Sequence, residues 1–229
     1  MVSEMDLQKK KQQLLDYYKH SRTATKNEVI DAFMRVPREN FVLPHQRDQA
    51  YEDHPLPIGE GQTISAPHMA FIMCELLELK EGNRVLEIGA GSGYHAAICA
   101  ELVAPPGSQN PGQVFTIERI PELAEFAKSN LTKSGYSEVV TVIVGDGTLG
   151  YPEKAPYNAI LVTAAGPKVP EPLIEQLEVR GKLIIPVGGR LMYQELILVE
   201  KITPNKVIQK RVGGVAFVPL IGRHGWQKE

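Results

Sequence analysis

The run Val85-Leu86-Glu87-Ile88-Gly89-Ala90-Gly91-Ser92-Gly93-Tyr94 constrains this chain more than any other segment. A short stretch of buried-strand character runs into a turn holding three glycines, and helical sequence, Tyr94–Val103, follows. Glycine tolerates positive φ and lets backbone approach a ligand closely. In an open α/β sheet that ligand sits beyond the strand end, at the helix N-terminus. The pattern is Gly-x-Gly-x-Gly, and Tyr94 stands where the dinucleotide pattern carries its third glycine. A tight turn with no ligand is the bland alternative, so the strands that follow must decide.

The chain around this run alternates helix and strand. Strands are predicted at Arg84–Ile88, Gln113–Ile117, Val139–Val144, Asn158–Thr163 and Lys182–Pro186. Helices are predicted at Pro67–Leu79, Tyr94–Val103, Pro121–Ser134 and Glu171–Leu177. Such alternation implies βαβ units, a parallel sheet and helices on both faces. Glu195–Lys201 and Val207–Val212 flank Thr203-Pro204-Asn205, so the sheet should end in an antiparallel hairpin with a tail, Phe217–Glu229. Ahead of the core, Leu7, Leu14, Leu15 and Tyr18 recur at helical spacing with Lys9–Lys11 on the wet face. Thr25 with Glu28 reads as a capping box for a second helix that Pro37 ends. Tyr51–Gly61 and Ala104–Gly112, rich in Pro and Gly, read as loops. Residues 1–229 form one expected domain: a helical and cleft region over 1–65, an α/β core over 66–189, and a hairpin and tail over 190–229.

Composition narrows the function. A formal net charge of −2 gives no field to hold nucleic acid. No apolar run approaches the roughly 20 residues that span a bilayer, and the N-terminus lacks the apolar centre of a secretory signal. Cys74 and Cys99 lie in apolar runs and read as buried hydrophobes; there is no Cys/His cluster, so no metal is expected. A cytoplasmic location follows by default.

Two further strand tips carry chemistry. Val114-Phe115-Thr116-Ile117 ends in Glu118, 29 residues after Gly89, about the length of one βαβ unit. A carboxylate there can accept hydrogen bonds from both hydroxyls of a ribose, in NAD or in an adenosyl sulfonium. Val142-Ile143-Val144 runs into Gly145-Asp146-Gly147. A short acid between two glycines can reach the exocyclic amine of an adenine, or serve as a turn aspartate. Ser65, just before Ala66-Pro67 at a helix start, suits an N-cap.

These residues, with others, resemble a family. Leu56-Pro57-Ile58-Gly59-Glu60-Gly61-Gln62-Thr63-Ile64-Ser65-Ala66-Pro67-His68-Met69 is similar to the segment that precedes the core of the protein-L-isoaspartate O-methyltransferases. So are Val85–Tyr94, Gly145-Asp146-Gly147, Ala155-Pro156-Tyr157, Val162-Thr163-Ala164-Ala165, Ile185-Pro186-Val187-Gly188 and Phe217-Val218-Pro219-Leu220. The match runs in order from about Val36-Pro37-Arg38 to Leu220.

The resemblance implies an α/β, Rossmann-like class I S-adenosylmethionine-dependent methyltransferase. It implies methyl transfer to the α-carboxylate of L-isoaspartyl residues, and weakly D-aspartyl ones, in damaged proteins, with return to aspartate through succinimide. S-adenosyl-L-homocysteine is then the product. Ser65 becomes the catalytic residue, donating a hydrogen bond to the acceptor carboxylate. Thr63, Ile64, His68, Gly89, Ala90, Gly91, Gly93, Glu118, Arg119, Asp146 and Gly147 become the cofactor set. Ile64, Val218, Pro219 and Leu220 line the peptide cleft of a monomer that binds isoaspartyl peptides and no nucleic acid. Asn158 departs from the acid that many members carry there, and Pro105–Pro111 is a longer connection than the family leads one to expect. Three alternatives remain: another methyl acceptor such as RNA or a small molecule, a non-catalytic cofactor-binding module, and an NAD-dependent dehydrogenase. Thr163-Ala164-Ala165-Gly166-Pro167 lacks the Asn/Asp-Pro-Pro-Tyr type sequence of base-amino methyltransferases, and the missing third glycine speaks against NAD.

Overall fold

The structure is a computed structural model and describes residues 3–190 and 193–227. The ends of the expected N-terminal region and tail, and Leu191-Met192 in the expected hairpin region, lie outside the described residues.

The first helix, α1 (Glu4–His20), starts in a capping box: the Ser3 hydroxyl accepts from the Asp6 amide at 3.1 Å and Asp6 accepts back from the Ser3 amide. It buries Leu7, Leu14, Leu15 and Tyr18 as their spacing predicts. Lys11 belongs to the same stripe and is buried, which corrects the assignment of Lys9–Lys11 to the wet face. Its ammonium donates to the carbonyls of Met34 and Val36, both at 2.9 Å, and lies 5.5 Å from the ring centres of Phe33 and Tyr51. A cation thus caps the C-terminal end of α2 (Asn27–Arg35) from another helix. The capping box expected for α2 is absent. Thr25 gives its amide and hydroxyl to Glu75, and Lys26 is the N-cap without a side-chain bond.

Part of the predicted loop 51–61 is strand. β1 (Leu56–Gly59) pairs antiparallel with β2 (Gln62–Ile64) through Leu56 opposite Ile64. Alternation explains it: Leu56 and Ile58 face inward while Pro57 and Gly59 face solvent. Glu60 and Gly61 turn the chain at positive φ. The order then runs α3 (Pro67–Leu77), β3 (Arg84–Ile88), α4 (Tyr94–Val103), β4 (Gln113–Glu118), α5 (Pro121–Lys133), β5 (Val140–Val144), β6 (Tyr157–Val162), α6 (Glu171–Glu175), β7 (Leu177–Gly188), β8 (Gln194–Thr203) and β9 (Lys206–Val215).

The main sheet has seven strands in the order β5-β4-β3-β6-β7-β8-β9. The first five are parallel, and β7, β8 and β9 pair antiparallel. The hairpin turn is the two residues Pro204-Asn205, one fewer than expected, because Thr203 pairs with Lys206. β7 is longer than predicted, starting at Leu177 and crossing Arg180, which takes positive φ. Asn158 explains its own departure: Oδ1 accepts from the Arg84 amide at 2.7 Å while Nδ2 donates to Glu178 at 2.5 Å. An ionised Asp has no such donor.

Successive strand residues feed two separate cores. Val85, Val114, Ala159, Leu161 and Ile184 join the cluster that contains side chains of α1 to α5. Leu86, Ile88, Phe115, Ile117, Ile160, Val162, Leu183 and Ile185 join a smaller one with Leu173 of α6 and Leu220 of the tail. Helices therefore cover both faces, unequally. The order in which strands are added reverses at β3, whose parallel neighbours are β4 on one side and β6 on the other. That reversal opens a crevice at the carboxyl ends of the strands. Cys74 and Cys99 are buried free thiols. No described helix is long and apolar enough to cross a membrane.

Candidate active site

A cleft opens at that reversal. Its first wall is the glycine turn after β3. Gly89, Gly91 and Gly93 all take positive φ. At Gly89 a Cβ would collide with the hydroxyl of Thr163, which donates to the Gly89 carbonyl at 2.7 Å; at Gly93 it would sit 3.0 Å from Leu131. The turn is therefore closed to side chains from both sides, and its backbone faces the cleft.

Glu118, at the tip of β4, is only 6% exposed. One carboxylate oxygen accepts from the Gly91 amide and the other from the Ile120 amide, both at 3.0 Å. The carboxylate ties the second strand tip to the glycine turn, a bracing role that the sequence did not reveal, and it also lines the cleft. At the third tip the cleft is lined by Gly147, not Asp146. Asp146 is turned away: one oxygen accepts from the amide and hydroxyl of Thr148 at 2.9 and 2.7 Å, and the other from the Arg223 amide at 2.7 Å. These bonds hold Asp146 in a turn that also anchors the C-terminal tail.

The opposite wall carries Gln62, Thr63, Ile64 and Ser65 from β2 and the residue after it, and Val218, Pro219, Leu220 and Ile221 from the tail. Ser65 does not cap α3. The N-cap is Ala66, with no side-chain bond, and Pro67 opens the helix. The Ser65 hydroxyl has no hydrogen-bond partner among the described residues, while its carbonyl accepts from Arg38 at 2.8 Å. His68, expected beside the cofactor, does not line the cleft. Its ring lies 2.8 Å from Asp53, which also accepts from the Tyr18 hydroxyl at 2.5 Å. Burial pushes the Asp53 carboxyl up, but the bonds from Tyr18 and His68 bring it below its ordinary value. Val218 and Leu220 bridge Ala165, with bonds of 2.8 Å in each direction. The Pro219 carbonyl accepts no hydrogen bond among the described residues, and alternation along an extended segment directs it to the other edge.

Among the lining residues missed in the sequence, two are buried and titratable. Glu87, in β3, is fully buried; Oε2 accepts from Thr116 at 2.6 Å and Oε1 has no partner among the described residues. Burial, with Glu118 adding repulsion, pushes its carboxyl up to about 8. A carboxyl inside the apolar run Val-Leu-Glu-Ile was the available signal. His95, in the first turn of α4, is 6% exposed and its Nε2 has no partner among the described residues. Burial, then the charge of Arg38, pulls it down to about 4. Ala90 and Arg119 also line the cleft. No group of three metal-ligating side chains exists among the described residues.

Residues 9–225 match the family model described as protein-L-isoaspartate(D-aspartate) O-methyltransferase. The protein-L-isoaspartate O-methyltransferase of Methanopyrus kandleri is 59% identical over 88% of this chain and 87% of its own. That of Thermococcus sibiricus is 51% identical over 99% of this chain and 100% of its own. Among solved structures, a beta-aspartate methyltransferase from Plasmodium falciparum in complex with S-adenosyl-L-homocysteine superposes with a TM-score of 0.81 at 27% identity, covering 91% of this chain and 97% of that one. On sequence and fold together, the chain belongs to the protein-L-isoaspartate(D-aspartate) O-methyltransferase family.

Proposed function

We propose that this protein transfers the methyl group of S-adenosylmethionine to the α-carboxylate of L-isoaspartyl residues, and more weakly of D-aspartyl residues, in damaged proteins. The observation that carries the proposal is convergence. The glycine turn, Glu118 and Gly147 share one cleft with Ser65 and Val218–Leu220. The cradle fits an adenosyl group: Gly89–Gly93 admit a close approach, and Glu118 retains lone pairs for a ribose. The unpartnered oxygen of buried Glu87 fits the cationic end of the same molecule.

The cofactor supplies a methyl on a sulfonium and leaves as a neutral thioether. The acceptor is already an anion at neutral pH, so no general base is required. The chain's task is alignment in a site shielded from water. The free hydroxyl of Ser65 donates to one carboxylate oxygen and leaves the other to form the new O–C bond. The Pro219 carbonyl at the open edge of the tail meets an extended peptide backbone, which suits an enzyme that accepts many sequences. The methyl ester then closes to succinimide, which opens partly to aspartate. The proposal includes a monomer working in the cytoplasm on ageing proteins and not on nucleic acid. Support for that compartment comes from Cys74 and Cys99, which stay unpaired.

The test is paired peptides, one with an isoaspartyl residue and one with aspartate at the same position, incubated with labelled methyl donor. A base-labile ester on the isoaspartyl peptide alone is expected. Label on neither peptide, or on RNA in its place, would overturn the proposal.

A further inference from the structure

Arg38 follows Pro37 at the end of α2 and is fully buried, 0% exposed. Its Nε donates to the Ala50 carbonyl and one terminal nitrogen to the Ser65 carbonyl, both at 2.8 Å. The guanidinium lies 4.8 Å from the ring centre of Tyr94, the first residue after the glycine turn. The other terminal nitrogen has no partner, and no carboxylate lies within ion-pair distance among the described residues. A buried cation without a counter-charge is costly, and apolar packing of similar volume commonly stabilises a fold as well or better. Stability alone is therefore a poor account of this arginine.

Its position supplies a better one. Ser65 sits in the gap between β2, whose pairing ends at Ile64, and α3, which is capped by Ala66. Neither element holds it, and the Arg38 bond is the one that anchors its peptide group. We propose that Arg38 is a positioning residue: by gripping the Ser65 carbonyl while stacked on Tyr94, it sets the Ser65 hydroxyl toward the glycine turn. This rests on the methyl-transfer function above and names the element that aligns its acceptor.

The experiment is a double-mutant cycle with Arg38→Met and Arg38→Lys, each alone and combined with Ser65→Ala. Turnover and KM are measured with an isoaspartyl peptide, affinity by calorimetry with S-adenosylhomocysteine, and folding by thermal unfolding. Arg38→Met should lower kcat at least tenfold, and Arg38→Lys, which keeps one bond, by less. Peptide KM and S-adenosylhomocysteine affinity should stay within threefold. In the Ser65→Ala background, Arg38→Met should lower kcat less than threefold, because the group it aligns is gone. Equal losses in both backgrounds, a matching loss of S-adenosylhomocysteine affinity, or failure of both Arg38 variants to fold would each overturn the role. A wild-type protein inactive on isoaspartyl peptides is a different failure, one of the methyl-transfer function itself.

Discussion

The two walls of the cleft are built on different principles. The wall of strand tips is held by a backbone ladder, with Ile88, Ile117 and Ile143 in register across β3, β4 and β5. The facing wall has only short backbone pairings, β1 with β2 and the tail with Ala165, and is otherwise held by side chains reaching across long stretches of sequence. Arg38 grips Ser65, Gln194 exchanges two bonds with Phe217 at 2.6 and 3.0 Å, and the Trp226 indole donates to the Ala165 carbonyl at 3.0 Å. A ladder keeps its geometry when one side chain is lost. A loop pinned by one or two side chains does not, so substitutions there should disturb alignment more than cofactor affinity.

Glu118→Ala should have the largest effect, because that side chain is where the first wall does depend on a carboxylate. It removes bonds to two backbone amides as well as the proposed ones to a ribose. Hydrogen bonds to a charged group contribute about 1.5–3 kcal/mol each. Calorimetric affinity for S-adenosylhomocysteine should fall by roughly ten- to hundredfold. Undiminished affinity would make the strand tip a mere brace. Ser65→Ala should lower kcat about tenfold, one charge-assisted bond, with S-adenosylhomocysteine affinity unchanged. An equal loss in both would erase the distinction between the walls. Trp226→Phe should raise peptide KM a few-fold, about 1 kcal/mol for the lost bond to Ala165, and leave cofactor affinity alone.

The smallest effect sharpens the ladder side. The Glu87 carboxyl lies at about 8 against an ordinary 4.5. Below pH 4.5 it is protonated in both folded and unfolded states. Between 4.5 and 8 the unfolded chain releases the proton that the folded chain keeps, so stability falls as pH rises through that window. Glu87→Gln removes this slope. The thermal midpoint of the variant relative to wild type should climb by ~a few degrees from pH 5 to pH 8. His95 titrates in both proteins and cancels from the difference. A flat difference would mean that Glu87 is ionised throughout.

The ladder wall was legible in the sequence because its causes are local. Strand-type runs ending in Gly89, Glu118 and Gly147 announce themselves within ten residues each, and all three line the cleft. What the local sequence left open there was a competition between equals. Asp146 between glycines suits an adenine or a turn, and its bond from the tail amide of Arg223, 77 residues away, could not be read from either pattern. The pinned wall was legible only through family resemblance. Nothing near Arg38 announces a bond to Ser65, and nothing near Thr25 announces Glu75 as its partner in place of Glu28. Lys11 failed for a related reason: helical period places it inward, but its charge argued outward until the carbonyls of Met34 and Val36 were in view. β1 was hidden by Pro57 and Gly59, which punctuate a loop in most contexts but suit a two-stranded ribbon with open edges.

The most direct test of the two-walled cleft is a crystal structure of the protein with S-adenosylhomocysteine and an isoaspartyl peptide. The account predicts the ribose hydroxyls on Glu118, the thioether sulfur facing Ser65, and the isoaspartyl α-carboxylate within hydrogen-bond distance of the Ser65 hydroxyl, with the peptide backbone along Val218–Leu220. A peptide bound elsewhere, or an adenosyl group that leaves Ser65 and Glu118 untouched, would contradict it.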